Sequence, residues 1–247
     1  IDLLVELNMD VIARHRLQTL LTVDDMVREI VELVEEKGAT AETYFFFTSD
    51  HGFHMGQHCL GPCKRQPYDT DVRIPLFVRG PGVAAGSKIE ALVGHPDLAP
   101  TILTLAGAEG VGEMDGDSMV PLLVPSRRQE SGKVWRTAQL LEYIGTQEAP
   151  KIDGSGHIID NGNNTFRGLR HIEPARGIDI AYYEFTDLEA DWNFHSPNFY
   201  ELYNVTEDPE QMHNLYYRGG EGIDADLRQA LALRVRNEYT CKGATCS

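Results

Sequence analysis

The sequence predicts an α/β fold in two parts: a sheet flanked by helices over residues 1–125, then a smaller α+β domain with a short antiparallel sheet over 126–247. Three observations carry this. The run Thr43-Tyr-Phe-Phe-Phe-Thr48 is apolar and β-branched without alternation, as in a strand covered on both faces within a parallel sheet. Residues 14–37 place Leu17, Leu20, Leu21, Met26, Val27, Ile30, Leu33 and Val34 at helical spacing. Beyond about residue 125 the pattern changes to short alternating runs between polar loops, the mark of antiparallel strands.

The first helix is expected to pack its apolar stripe on the sheet and to stop at Lys37-Gly38. Thr22 and Asp25 form a capping-box-like pair where it could break in two. The strand from Thr43 then delivers Asp50 and His51 beyond its carboxyl end, where ligand sites form in α/β sheets. Gly52 lets the backbone turn beside them. A second strand over Ile74–Arg79 ends in Gly80-Pro-Gly82, and a helix follows within Pro96–Gly107, with Asp97 at its N-cap, Pro100 in its first turn and Gly107 as its stop. Strands are predicted at Arg136–Tyr143, Ile178–Phe185 and Phe199–Val205, a loop at Asp153–Asn164, and a last helix at Ala225–Tyr239 with Leu227, Leu231, Leu233 and Val235 apolar.

Composition narrows the function classes. With 22 basic against 38 acidic residues the net charge is -16, which argues against nucleic-acid binding. No apolar run approaches the roughly 20 residues of a membrane span. Asn163-Asn164-Thr165 and Asn204-Val205-Thr206 are acceptor sequons, which would make Asn163 and Asn204 glycosylation sites in a secretory protein. Cys59 and Cys63 could form a loop disulfide, remain free thiols or supply half of a soft-metal site, although no second ligand pair stands at zinc spacing.

The candidate chemistry gathers after the first strand. Asp50 offers the oxygen that a hard divalent cation takes, whereas the His51 imidazole suits manganese or zinc better than calcium. Lys64 is a compact cation, and His54 and His58 lie in the same loop.

This stretch resembles the sulfatase family downstream of its second metal-binding motif. The likeness rests on the Ser49-Asp-His-Gly52 turn after a strand, on Lys64 fourteen positions beyond Asp50, and on the Arg73-Ile-Pro-Leu76 strand running into Arg79-Gly-Pro-Gly82. Arg16-Leu-Gln-Thr-Leu-Leu-Thr-Val-Asp-Asp25, Lys64-Arg-Gln66 and Glu201-Leu-Tyr-Asn-Val-Thr-Glu-Asp-Pro-Glu-Gln211 look most like N-acetylglucosamine-6-sulfatases and their plant, algal and fungal arylsulfatase relatives. Residues 145–175 match poorly.

The resemblance implies an alkaline phosphatase-like mixed sheet and a hydrolase of sulfuric esters, its substrate a sulfated glycan or an aryl sulfate. It implies Asp50 and His51 as metal ligands, for Ca2+ with Mg2+ or Mn2+ as alternatives. Lys64 would bind sulfate and act in catalysis, His58 would be a proton donor, and His54 would contact substrate. It also implies a disulfide between Cys241 and Cys246 and a secretory location, lysosomal or extracellular. The family's nucleophile is a formylglycine made from Cys/Ser-x-Pro-x-Arg, a motif this sequence does not contain. Leu123-Val-Pro-Ser-Arg127 has only its Pro and Arg. The sequence is therefore expected to be the carboxyl-terminal part of a sulfatase that needs an upstream part of its own fold. The alternatives are a phosphoesterase or phosphonate hydrolase of the same superfamily and a non-catalytic glycan-binding chain.

Overall fold

The computed structural model describes residues 3–108, 114–127, 134–145, 164–186, 194–217 and 225–246. The chain forms two compact units, Ile1–Ala85 with Gln147–Gly162, and Gly86–Thr146 with Asn163–Ser247.

In the first unit, α1 (Leu3–Glu36) is one uninterrupted helix, so the break at Thr22 does not occur. Gly38, at φ 68°, ends it where the sequence placed the stop. The helix does not pack its apolar stripe on the sheet as expected: Leu17, Leu21, Ile30 and Leu33 are all more than half exposed. Spacing determines which face is apolar but supplies no surface to cover it. Its contacts include a buried Met9, Arg16 over the Phe53 ring and Glu35 paired with Arg79 at 3.2 Å.

β1 (Phe45–Thr48) pairs antiparallel with β2 (Leu76–Arg79), in register from Phe45↔Arg79 to Thr48↔Leu76. This corrects the strand covered on both faces in a parallel sheet: among the described residues β1 has one antiparallel partner, and Phe47 and Phe77 are exposed. An aromatic run without alternation reports high strand propensity on either face, which burial is not needed to produce. The chain between the two strands turns back through α2 (Asp69–Val72). Tyr44 fastens the far end, its hydroxyl donating to Pro81 O at 2.7 Å while its ring fills the space beside Gly80.

The second unit is built on a four-stranded antiparallel sheet in the order β3 (Ala138–Tyr143), β4 (Thr165–Glu173), β5 (Ile178–Thr186), β6 (Phe199–Asn204). Three of these were predicted. β4 was not, because Arg167, Gly168 and Arg170 break its apolar pattern. The sheet accepts the two arginines inside it only as ion pairs: Arg167 Nε donates to Glu184 Oε2 at 2.9 Å from the directly opposite residue of β5, and Arg170 reaches Asp179 with two N–H groups at 2.5 and 2.9 Å. Helix α5 (Ala225–Thr240) lies on this sheet, with Leu231 and Val235 meeting Leu169, Tyr182 and Leu202 in the core.

Helices α3 (Leu98–Leu105) and α4 (Val120–Leu123) belong to the same unit. Asp97 occupies the predicted N-cap position, but its carboxylate does not cap the helix. Fully buried, it accepts Gly94 N–H at 2.8 Å on one oxygen, and on the other the Asp117 N–H at 2.8 Å and the Arg136 guanidinium. The Asp97 carbonyl accepts Thr101 Oγ1 at 2.5 Å, and that hydroxyl accepts Met119 N–H at 2.8 Å. These bonds join Gly94–Thr101 and Asp117–Met119 to the approach to β3 within one compact unit.

Cys241 and Cys246 form the disulfide, next to a Gly243 N–H that donates to Asp115 at 2.7 Å. Cys59 and Cys63 are free thiols. Asn204 closes β6 and is half-buried, while Asn163 lies outside the described residues. No helix is long and apolar enough to cross a membrane among the described residues.

Two outcomes follow from the charges of this unit. Asp97→Ala leaves the Arg136 cation enclosed without its partner, which should lower stability by about 3–5 kcal/mol. Urea unfolding followed by the fluorescence of Trp135, whose indole N–H donates to Leu92 O at 2.7 Å, measures it. The second concerns Asp208, which accepts Met212 N–H at 3.1 Å and His213 N–H at 2.7 Å. Desolvation raises its pKa, and the His213 and Met212 N–H groups outweigh that, so the carboxyl sits below its ordinary range. A depressed folded pKa contributes stability that is present above the unfolded value near ~3.9 and lost as pH falls through the folded one. Asp208→Asn should therefore cost on the order of 1–2 kcal/mol at pH 7, and the difference from the parent should close below about pH 4 in a pH series of thermal melts.

Candidate functional site

The site is assembled around the end of β1. Thr48 Oγ1 donates to Pro75 O at 2.8 Å, and one turn later the Gly52 and Phe53 N–H groups donate to Asp71 O at 2.7 Å and Thr70 O at 2.9 Å. Gly52 is required here by close approach rather than by a left-handed φ: a Cβ on it would lie 2.0 Å from the Thr70 carbonyl oxygen. The turn from Asp50 to Phe53 is thus pressed against α2.

Within that turn, His51 Nδ1 lies 2.7 Å from the Gly52 carbonyl oxygen, an acceptor only, so Nδ1 carries the proton. His51 Nε2 meets the Lys64 ammonium and lies 3.0 Å from Asp50 Oδ2. A carboxylate, an imidazole nitrogen and an ammonium converge on one point. Asp50 is largely exposed and its oxygen Oδ1 also accepts His51 N–H at 3.1 Å. Desolvation raises the Asp50 pKa, but the charge on His51, backbone N–H bonds and Lys64 outweigh it, so the group stays ionised below the usual carboxylate range.

Two of the predicted residues occupy other surroundings in the same loop. His54 is 1% exposed, and its Nδ1 lies 2.8 and 2.9 Å from the two oxygens of buried Asp71. His54 and Cys63 also exchange backbone hydrogen bonds at 2.9 and 3.2 Å, closing the loop that presents Lys64. His58, at φ 54° in the left-handed region, stacks on Tyr68 with ring centroids 3.9 Å apart. The structure therefore brings Asp50, His51 and Lys64 together and sets His54 behind them as part of the support.

Sequence reading missed Asp71. Its carboxylate accepts Gln66 N–H at 2.9 Å and Thr70 Oγ1 at 3.2 Å besides holding His54, so it ties both ends of the Lys64 loop to α2. An acidic residue seventeen positions from its histidine leaves no local signature. Leu123, at the head of the Leu123–Arg127 near-match, is a buried apolar residue ending α4.

Asp50 and His51 supply an oxygen and a nitrogen donor aimed at the same point, a partial ligand set for a divalent cation. No group of three or more metal-ligating side chains occurs among the described residues. The donors fit such an ion as part of a larger set: the carboxylate is suited to Ca2+, Mg2+ or Mn2+, and the imidazole favours Mn2+ among them.

Residues 8–108 match the Sulfatase family model. The chain is 36% identical over 247 residues to an N-acetylglucosamine-6-sulfatase of Homo sapiens, a match covering 94% of this chain and 42% of the relative. It is 46% identical over 242 residues to sulfatase ppz1 of Metarhizium majus (strain ARSEF 297), covering 96% of this chain and 46% of that one. The solved structure of BT4656 in complex with its substrate D-glucosamine-2-N,6-O-disulfate superposes with a TM-score of 0.67 at 26% identity, over 88% of this chain and 38% of that chain. The chain belongs to the sulfatase family, and it aligns with the carboxyl-terminal part of these relatives. It spans less than half the length of the curated relatives it matches.

Gly52→Ala should push α2 away from the turn and cost about 3 kcal/mol, the upper end of overpacking penalties. The His54 ring resonances in an NMR spectrum, sensitive to the Asp71 contact, should shift in this variant and stay in place in Gly86→Ala, where an added Cβ meets no atom.

Proposed function

We propose that this chain forms the metal-binding and sulfate-binding part of a sulfatase that hydrolyses sulfate monoesters, with the 6-O-sulfate of N-acetylglucosamine units in glycosaminoglycans as the leading substrate and aryl or polysaccharide sulfates next. The single observation that carries the reading is the convergence of Asp50, His51 and Lys64 at the end of β1, within the segment that matches the family. The substrate class is supported by the relatives: one is named an N-acetylglucosamine-6-sulfatase and another was solved with a 6-O-sulfated glucosamine.

In this reading Asp50 and His51 hold the cation, Ca2+ in the first place with Mg2+ or Mn2+ as alternatives. Bound there, the ion supplies electrostatic polarisation of the sulfate oxygens. Lys64 donates to a sulfate oxygen or neutralises the charge developing on the leaving oxygen. His51 keeps its Nδ1 proton on Gly52 O and so turns Nε2 toward Asp50 and Lys64. His54, through Asp71, positions the Lys64 loop more directly than it could contact substrate, and His58 on Tyr68 is the loop's remaining candidate proton donor. The formylglycine nucleophile has no source among these 247 residues, since none stands in a Cys/Ser-x-Pro-x-Arg sequence.

We further assign residues 1–125 to the family's catalytic domain and 126–247 to its smaller carboxyl-terminal domain, although the compact units part earlier. A secretory location, lysosomal or extracellular, is supported by the Cys241–Cys246 disulfide, which persists in oxidising compartments, and by the Asn204 sequon.

Turnover of 4-nitrophenyl sulfate by the chain alone should not exceed that of Asp50→Ala, because no nucleophile is present. Joined to the part of the Metarhizium relative that lies outside the match, the chain should hydrolyse glucosamine 6-sulfate. In that fusion Asp50→Ala should abolish turnover, Lys64→Ala should lower kcat/KM by about 100- to 1,000-fold, and His51→Asn should retain much of it, since an amide oxygen replaces the imidazole as donor. Full activity of the fusion carrying Asp50→Ala would remove this pair from the mechanism.

A further inference from the structure

A second site lies in the other compact unit, between α5 and the sheet. Ala225, Arg228, Gln229, Ala232 and Arg236 recur on one face of α5 and look onto Tyr182, Glu184 and Tyr200 of β5 and β6 across a cavity of about 320 Å³, with Tyr216 closing one side. The cavity has a simple origin. Leu231 and Val235 bring the helix onto Leu169, Tyr182 and Leu202 with Ala232 packed beside them, and on the neighbouring face Ala225 and Ala232 present only methyl groups to the cavity. Space is left where a larger pair would have filled it.

The walls have a definite chemistry. Tyr200 and Tyr216 stack with ring centroids 4.5 Å apart and 10° between planes, and the Arg228 guanidinium sits over Tyr216. Arg228 donates one N–H to the Tyr216 carbonyl oxygen at 2.8 Å, which fixes it at the rim with N–H groups to spare. Arg236 lies one and a half turns before the disulfide and is exposed. The one carboxylate on the wall, Glu184, is already neutralised by Arg167 at 2.8 Å and accepts the Tyr182 hydroxyl at 3.1 Å. Desolvation raises the Tyr200 and Tyr216 hydroxyls above their ordinary pKa, so both stay protonated at neutral pH, the Tyr200 hydroxyl donating to Pro197 O at 3.1 Å. In a chain of net charge -16, this is a pocket with two cations and aromatic walls.

We propose that this cavity binds a single ring bearing a sulfate or carboxylate group, the anion held by Arg228 and Arg236 and the ring lying against the tyrosine walls. The volume is near the lower end of ligand pockets, enough to seat one ring. Guanidinium groups suit planar or tetrahedral oxyanions, and tyrosine faces suit either a sugar ring or an aryl group. The inference does not depend on the sulfatase reading, because every lining residue falls between Tyr182 and Arg236.

The test is an NMR titration of the full chain carrying Lys64→Ala, which disables the other candidate anion site, with glucosamine 6-sulfate, 4-nitrophenyl sulfate, glucosamine and inorganic sulfate. At least one ring sulfate should bind tenfold or more tightly than both glucosamine and inorganic sulfate. The tighter of the two ring sulfates identifies the natural ligand as sugar or aryl. Arg236→Gln, a change at an exposed position, should weaken binding at least tenfold, and Ala232→Leu should abolish it by filling the cavity. Unchanged affinity in Arg236→Gln, inorganic sulfate binding as tightly as the ring sulfates, or no binding by any of the four would overturn the proposal. Loss of binding through Lys64→Ala alone, when compared with the parent chain, would also overturn it and would place the anion at the β1 site.

Discussion

A carboxylate taken out of water must be given cations or N–H donors, and three parts of this chain are organised by meeting that requirement. Asp97 gathers Gly94, Asp117 and Arg136, and so fixes where residues 86–127 lie against the approach to β3. Asp71 gathers His54, Gln66 and Thr70, and so fixes the loop that carries Lys64. Glu184 takes Arg167 and Tyr182, and makes an arginine acceptable in the middle of the sheet. Removing any one of these acids would leave donors stranded in several segments at once, which is why each acts on a neighbourhood rather than on a single contact.

The same bookkeeping of charge distinguishes two histidines at the β1 turn. His54 and His51 stand three residues apart, yet His54 is enclosed against an aspartate with its proton position settled, whereas His51 has its Nδ1 committed to a backbone carbonyl and its Nε2 turned toward Asp50 and Lys64. A buried pair rigidifies and a half-exposed one remains available. The two roles arise from backbone placement: the Gly52 contact with Thr70 and Asp71 directs Asp50 and His51 outward and carries His54 inward.

The excess of acidic residues gives the cations their meaning. Across a chain of net charge -16, an anionic ligand is attracted only where basic groups are concentrated and nearby acids are neutralised. Lys64 beside His51 is one such place, and Arg228 with Arg236 above a neutralised Glu184 is another. Arg167, by contrast, spends its charge on Glu184 and on the faces of Phe194 and Tyr239, and is a structural cation.

Local patterns in the sequence determined a good deal. The helices from residues 14 and 225, the stop at Gly38, the helix before Gly107, three strands of the four-stranded sheet, the Cys241–Cys246 bridge and the Asp50–His51–Lys64 set were all legible, because periodicity, glycine punctuation and a motif of fixed spacing are properties of neighbouring residues. Tertiary structure decided the rest. β4 was hidden because its arginines make sense only opposite Glu184 and near Asp179, and the role of Asp71 because its partner is seventeen residues away. The exposure of α1 and the antiparallel pairing of β1 depend on which surfaces meet, and apolar spacing names a face without naming what covers it. The cavity beside α5 exists because two alanines fall opposite a tyrosine cluster drawn from two strands and a loop, a coincidence in space that no stretch of sequence records.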